Sequence, residues 1–242
     1  MSDLLNRLKE VFHSFCGAIG SRHPGERLYF EPLPYDRDAS GHQVFIQFKE
    51  DLAPQPYSVE AFEKLMGVTY AHHLAFPSKK VYRLVRELCK EAFDKGAISK
   101  RAEWLGVVFR NQIDTGGVKQ VSIRWIGDRM GFGLFAEEEI PKGEMVGEYT
   151  GLVRRCFPLF FLPNRYSFRY PLYRLLFGSY TIDAEGFTNE ISFINHSQTP
   201  NCESVVSINH HLFHVLIRAK EDIPKGSELT FDYGCPLEDF IS

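Results

Sequence analysis

The decapeptide FINHSQTPNC, residues 193–202, holds an amide, an imidazole, hydroxyls and a thiol within ten positions. Three chemistries are open to it. Asn195-His196-Ser197 matches the N-x-[ST] acceptor of a glycosylated loop. His196 and Cys202 could be two members of a metal site, or a thiol–imidazole catalytic pair. Or the segment is a rigid polar turn that sets backbone and amide groups against a ligand.

Composition narrows the choice. The chain has 242 residues, 44% of them hydrophobic, and a net charge of -3. That is enough apolar material for a core, and no overall basic character that would point to nucleic acid. The five cysteines (Cys16, Cys89, Cys156, Cys202 and Cys235) are odd in number, widely spaced and free of any C-x-x-C. A disulfide framework or zinc ribbon is not expected. The N-terminus carries Asp3, Arg7, Lys9 and Glu10 instead of a signal peptide's apolar run, and no stretch approaches the ~18 apolar residues of a membrane span. A reducing intracellular setting is therefore expected, and the glycosylation reading recedes.

The elements that must position these groups divide the chain in two. Residues 1–103 read as a mixed, mostly helical region. An amphipathic helix over 2–16 would be capped by Ser2 and striped by Leu4, Leu8, Val11 and Phe15. Two strands, 28–33 and 43–48, would flank a turn at Asp38–Gly41, and Pro54 and Pro56 would then break the chain. Ser78 should cap a longer helix whose apolar face is Val81, Leu84, Val85, Leu88, Ala92 and Phe93, with Gly96 ending it. These stripes read as packing. From about residue 104 to 242, short β-type runs separated by glycine turns predict a compact β-rich domain: WLGVVF, QVSIRW, GLFA, EMVGEY, SYTIDA, HLFHVLIRA and ELTFDY. Ile-Pro-Lys-Gly recurs in AEEEIPKGEMV (136–146) and AKEDIPKGSEL (219–229), either a structural pseudo-repeat or two similar turns. Residues 149–182 lack Asp and Glu but hold Arg154, Arg155, Arg165, Arg169 and Arg174 among Phe and Tyr. Such interleaving can bind nucleic acid. An insert whose arginines reach solvent is the preferred reading, so direct nucleic-acid binding is not expected.

Four short motifs stand in order in the second half: MGFGLFA (130–136), GEYTG (147–151), FINHSQTPNC and ELTFDYG (228–234). Each alone is weak; Gly131-Phe132-Gly133 lacks the third glycine and the strand–helix setting of a dinucleotide fingerprint. Together they resemble the SET-domain protein lysine methyltransferases, over about residues 121–234. The resemblance implies an α+β, β-rich fold: a SET (β-clip) domain of short antiparallel sheets with a C-terminal pseudoknot, a departure from the no-threading rule. It implies S-adenosyl-L-methionine as cofactor, approached by Gly131, Phe132 and Gly133 through the backbone, by Asn195 and His196, and more weakly by Tyr166. Tyr149 and Tyr233 match the family's channel tyrosines, Tyr233 as the catalytic residue. Phe231 matches a Phe-or-Tyr switch at which Phe leaves room for a second or third methyl. Residues 152–179 match a variable insert.

Two departures from the pattern carry expectations of their own. Gln198 stands where many members have a zinc-binding Cys, and only Cys235 follows Gly234. No metal is expected, and Leu237, Phe240 and Ile241, or a second subunit in a homodimer, would have to close the channel. Ser192 stands where Arg is common, which should not abolish activity. The implied partner is a lysine-rich protein, histone or histone-like, placing the chain in cytoplasm or chromatin; the compact pattern also resembles stand-alone SET proteins, some from intracellular bacteria that export effectors into host cells. The competing class is a catalytically inactive SET-like scaffold. The N-terminal region is left to recognise substrate, brace the domain or mediate dimerisation.

Overall fold

The computed structural model describes residues 29–30, 41–49, 52–156, 166–170 and 179–234. The expected helix over 2–16, the turn at 38–40, Arg165, Arg174 and the residues after Gly234 lie outside them. In chain order the strands are β1 (Tyr29–Phe30), β2 (Gln43–Gln47) and β3 (Gln55–Ser58), then helix α1 (Val59–Met66), β4 (Thr69–Tyr70) and β5 (Ala75–Phe76). Helices α2 (Lys79–Asp94), α3 (Lys100–Val108) and α4 (Arg110–Thr115) follow. The second half is β6 (Val121–Gly127), β7 (Gly131–Ala136), β8 (Met145–Glu148), β9 (Leu152–Cys156), β10 (Ser167–Arg169), β11 (Ser179–Asp183) and β12 (Phe187–Thr188). A 3-10 turn (Glu190–Phe193) leads into β13 (Asn195–His196), β14 (Cys202–Asn209), β15 (Leu212–Ala219) and β16 (Glu228–Phe231).

Three helices begin on a serine. Ser58, Ser78 and Ser99 accept from the amides of Ala61, Val81 and Ala102, satisfying donors that have no partner inside the helix. Gly96, at φ +67°, donates to Phe93 and ends α2 as expected. The buried face of α2 is Tyr82, Val85 and Cys89, with Leu84 and Phe93 exposed. The expected stripe is thus displaced around the helix.

Four small sheets share one hydrophobic core that runs from Val44 to Phe231. The largest has the order β13-β16-β7-β6-β2-β3. Strands from both sides of residue 104 therefore build it. Not every pairing is antiparallel: β2 with β6, β4 with β12, β5 with β9 and β13 with β16 run parallel. The expected strands at 28–33 and 43–48 do not face each other; β1 pairs with β5, and β2 with β3 and β6. Pro54 and Pro56 do not break the chain, because Pro56 sits in β3 at the sheet edge, where a missing N–H costs no ladder bond. WLGVVF is helical, not a strand: it lies in and just after α3. The two Ile-Pro-Lys-Gly turns meet, with Ile140 and Ile223 exchanging backbone hydrogen bonds of 2.9 Å each way and Gly143 and Gly226 at φ +87° and +88°.

Helix α3 presses its backbone on β14 through Gly106. A Cβ there would lie 1.9 Å from the carbonyl oxygen of Ile208. Leu105, Phe109 and Ile113 close a second cluster with Met145, Val205 and Leu216 beside that contact. Gly106→Ala should therefore cost on the order of 1–3 kcal/mol, read as a lower urea midpoint with an unchanged slope.

Candidate active site

The residues expected to do chemistry converge on one cleft. Its space, including the open mouth, is about 420 Å³. Tyr149, Tyr166, Phe231 and Tyr233 line it, together with Ser167, Phe168, Ser192 and Ile194. Sequence brings none of the last four forward as lining residues. Phe168 hides in the Arg-aromatic run, and Ile194 contributes a carbonyl, which no residue type advertises.

Tyr149 follows β8 and is almost wholly buried. Its hydroxyl donates to the Tyr166 carbonyl at 2.7 Å. Burial pushes its phenol well above the usual range, with the nearby Tyr233, Asp183 and Tyr166 adding to the rise. It thus stays a neutral donor at any ordinary pH. Tyr233 is half exposed, and its hydroxyl donates to the Ile194 carbonyl at 2.7 Å. Phe231 lies between them in effect: its ring is 4.8 Å from Tyr233 and stacks at 6.3 Å and 29° on Phe168, which is 5.5 Å from Tyr149. Among the described residues the cleft lining has no carboxylate or amine, so tyrosine and serine hydroxyls and carbonyl oxygens set its polarity.

A second group lies along the β7–β16–β13 edge. Gly131 is at φ +76° with open space where a side chain would stand. The Phe132 ring packs edge-on against Trp125 and Phe193 at 5.0 and 6.3 Å, and its carbonyl accepts from Asn195 Nδ2 at 3.2 Å. Gly133 does not share the positive φ of Gly131; its close neighbours are Ile126, Glu228 and Asn195. His196 is about half exposed, and its Nδ1 accepts from the Tyr233 N–H at 3.2 Å. The same Nδ1 lies 3.6 Å from Asp232 Oδ1.

The remaining readings of FINHSQTPNC are answered here. Cys202 is fully buried in β14 and its thiol is pushed up to about 12 by burial, so it is no thiolate nucleophile at neutral pH. No group of three His, Cys, Asp or Glu among the described residues could hold a metal, and no described helix is long and apolar enough to cross a membrane. The segment works by amide and backbone: Asn195 to Phe132, Ser197 N–H to Phe231, Asn201 to Glu228 and Thr230.

The family model of the SET domain matches residues 131–234. The match covers under half of the chain, which is similar to that family over those residues. The aligned residues of this chain are 38% identical to human histone-lysine N-methyltransferase 2B over 121 residues, covering 45% of this chain and 4% of that protein. They are 40% identical to histone-lysine N-methyltransferase trithorax of Drosophila virilis over 113 residues, 45% of this chain and 3% of that one. Similarity extends to mouse inactive histone-lysine N-methyltransferase 2E, 34% over 113 residues, 42% of this chain and 6% of that protein. The chain thus spans less than a tenth of the length of these relatives. A solved structure of ATXR5 in complex with histone H3.1 superposes with a TM-score of 0.58 at 18% identity, covering 75% of this chain and 88% of that one. It shows the fold, including part of what lies before the SET domain.

The raised Tyr149 phenol has a consequence for alkaline stability. Free tyrosine ionises near 10, so above that pH the unfolded chain releases a proton that the folded chain keeps. Stability held below pH ~10 should fall as pH rises further. Tyr70, raised by burial and by Glu190, acts in the same sense. In urea unfolding between pH 9 and 11, Tyr149→Phe should show a shallower loss of stability than the parent. At neutral pH it should be destabilised by about 0.5–1.5 kcal/mol, because the Tyr166 carbonyl loses the Tyr149 hydroxyl and keeps the Ala184 amide as its donor.

Proposed function

We propose that this chain is a protein lysine N-methyltransferase that uses S-adenosyl-L-methionine and acts on a histone or histone-like protein. The observation that carries the reading is the convergence of Tyr149, Phe231 and Tyr233 on one narrow aromatic cleft beside the Asn195–His196 strand. The relatives named as histone-lysine methyltransferases support the reaction class, and their names support the substrate and a chromatin location. The donor set fits the cofactor: an open backbone turn at Gly131, the Asn195 amide and exposed His196 stand at one edge, with no cation among the described cleft residues to repel a sulfonium.

S-adenosyl-L-methionine, when bound, supplies a methyl group on a positively charged sulfur. The chain's own residues then have three tasks. An apolar aromatic cleft disfavours the ammonium form of a lysine whose free pKa is near 10.4, so the amine enters neutral, with its lone pair free. Tyr149 and Tyr233 fix oxygen atoms around it: the Tyr149 hydrogen is held by the Tyr166 carbonyl and the Tyr233 hydrogen by the Ile194 carbonyl, so each oxygen turns its lone pairs away from those bonds. Those oxygens can accept from the amine hydrogens and orient its lone pair. Gly131, Phe132, Asn195 and His196 would hold the cofactor, which would supply its methyl group to the oriented amine, and the amine's surplus proton would leave to water. Orientation of this kind can contribute up to about 7–11 kcal/mol, so no carboxylate base is needed. Phe231 offers a ring edge without a hydroxyl and leaves room for an amine already methylated.

An inactive scaffold is the second reading, favoured by the name of the mouse relative. Intact mass spectrometry of a histone panel after incubation with S-adenosylmethionine separates the two. The expected result is stepwise methyl gains on one substrate, more than one step long, lost by at least a hundredfold in rate in Tyr233→Phe, a loss of the size seen for a misplaced reactant. Phe231→Tyr should shorten the series toward a single methyl. No methyl gain together with no stabilisation by S-adenosylhomocysteine would favour the scaffold, whereas stabilisation without a gain would mean an enzyme whose target lies outside the panel.

A further inference from the structure

Glu228 opens β16 and takes no part in the roles above. Its Oε1 accepts from Asn195 Nδ2 at 2.9 Å, and the same nitrogen donates to the Phe132 carbonyl at 3.2 Å. A carboxylate and a carbonyl only accept, so this end of the amide must be the NH2 end, and both its hydrogens are spent. Among the described residues no hydrogen bond reaches the other end, Oδ1. The amide is therefore held in one of its two orientations, with an acceptor turned outward. With the Phe132 carbonyl alone, one hydrogen bond at 3.2 Å would resist rotation.

Gly133 belongs to the same arrangement. A Cβ on it would lie 2.8 Å from Glu228 Oε1 and 3.1 Å from Asn195 Nδ2, as well as 2.4 Å from Ile126 Cδ1. The carboxylate and the amide fill the room that the missing side chain leaves. The glycine here is required by protein packing, independently of any ligand that approaches the strand.

We propose that Glu228 is a positioning residue of the cofactor site: it fixes the Asn195 amide so that Oδ1 accepts from the amino group of the bound cofactor, and Gly133 is glycine to admit the Glu228–Asn195 pair. The proposal rests on S-adenosylmethionine being the cofactor. Among the described residues the Glu228 carboxylate has no cationic partner, so its charge also favours a ligand ammonium nearby.

The test is calorimetric titration of the full chain with S-adenosylhomocysteine and with its analogue lacking the amino group. Glu228→Ala should weaken S-adenosylhomocysteine by about tenfold, the loss of one oriented hydrogen bond. The same variant should bind the des-amino analogue as the parent does. Glu228→Gln keeps an acceptor oxygen for Asn195 and should recover most of the loss. An equal loss for both ligands would mean a merely structural residue and overturn the proposal, as would unchanged binding in Glu228→Ala. If Glu228→Ala does not fold, a Glu228→Gln variant that folds but binds both ligands equally weakly overturns it too. If the parent chain binds neither ligand, the cofactor reading itself falls, and the positioning role with it.

Discussion

The site depends on one short parallel pairing, Asn195–His196 of β13 against Thr230–Phe231 of β16. Two residues of strand cannot hold themselves, so side chains and flanking amides clamp the register. Asn201 is the main clamp: its Nδ2 donates to the Glu228 carbonyl at 2.8 Å and its Oδ1 accepts from the Thr230 amide at 2.9 Å. The Ser197 amide to Phe231, the Tyr233 amide to His196 and the Tyr233 hydroxyl to Ile194 lace the rest. A slip of one residue would turn Asn195 away from Phe132 and Phe231 out of the cleft, because strand side chains alternate faces. Positions far apart in the chain are thus held as one rigid unit before any ligand arrives, which is what preorganisation requires.

The first half of the described chain braces this unit. Strand β2 extends the same sheet through β6, and Ile46, Val44 and Phe62 are fully buried in the shared core. Beside it, the buried Glu190 of the 3-10 turn that precedes Asn195 accepts from the Tyr70 hydroxyl at 2.6 Å and lies 2.8 Å from His42 Nε2. Two residues from the N-terminal region therefore fix the turn that feeds the Asn-His strand. A buried carboxylate needs such partners, since an unmade hydrogen bond there costs more than a made one contributes.

Particular elements show where sequence pattern is a sound guide and where it stops. Ser78 and Gly96 marked the ends of α2 because capping is local chemistry. QVSIRW, GLFA, EMVGEY and ELTFDY are strands because alternating or continuous β-branched and aromatic runs have no better packing. WLGVVF has the same composition, yet Ser99 caps a helix through it, and the close seat of Gly106 on Ile208 selects the helix. The partners of 28–33 and 43–48 were not legible, since neither strand carries the address of its mate, and parallel pairing to β6 needs a long crossover.

The four motifs were enough to point to the SET-domain resemblance, and they held Tyr149, Phe231 and Tyr233, which the fold brings to one cleft. The odd number and wide spacing of the cysteines also spoke against a disulfide framework, whose signature is arithmetic. Tertiary structure decided what holds the site residues. It assigned the hydroxyl of Tyr149 to the Tyr166 carbonyl, that of Tyr233 to Ile194, and the amide of Asn195 to Phe132 and Glu228. Those partners are mostly backbone atoms or residues more than thirty positions away, and the identity of a residue says nothing about which distant carbonyl its side chain will meet.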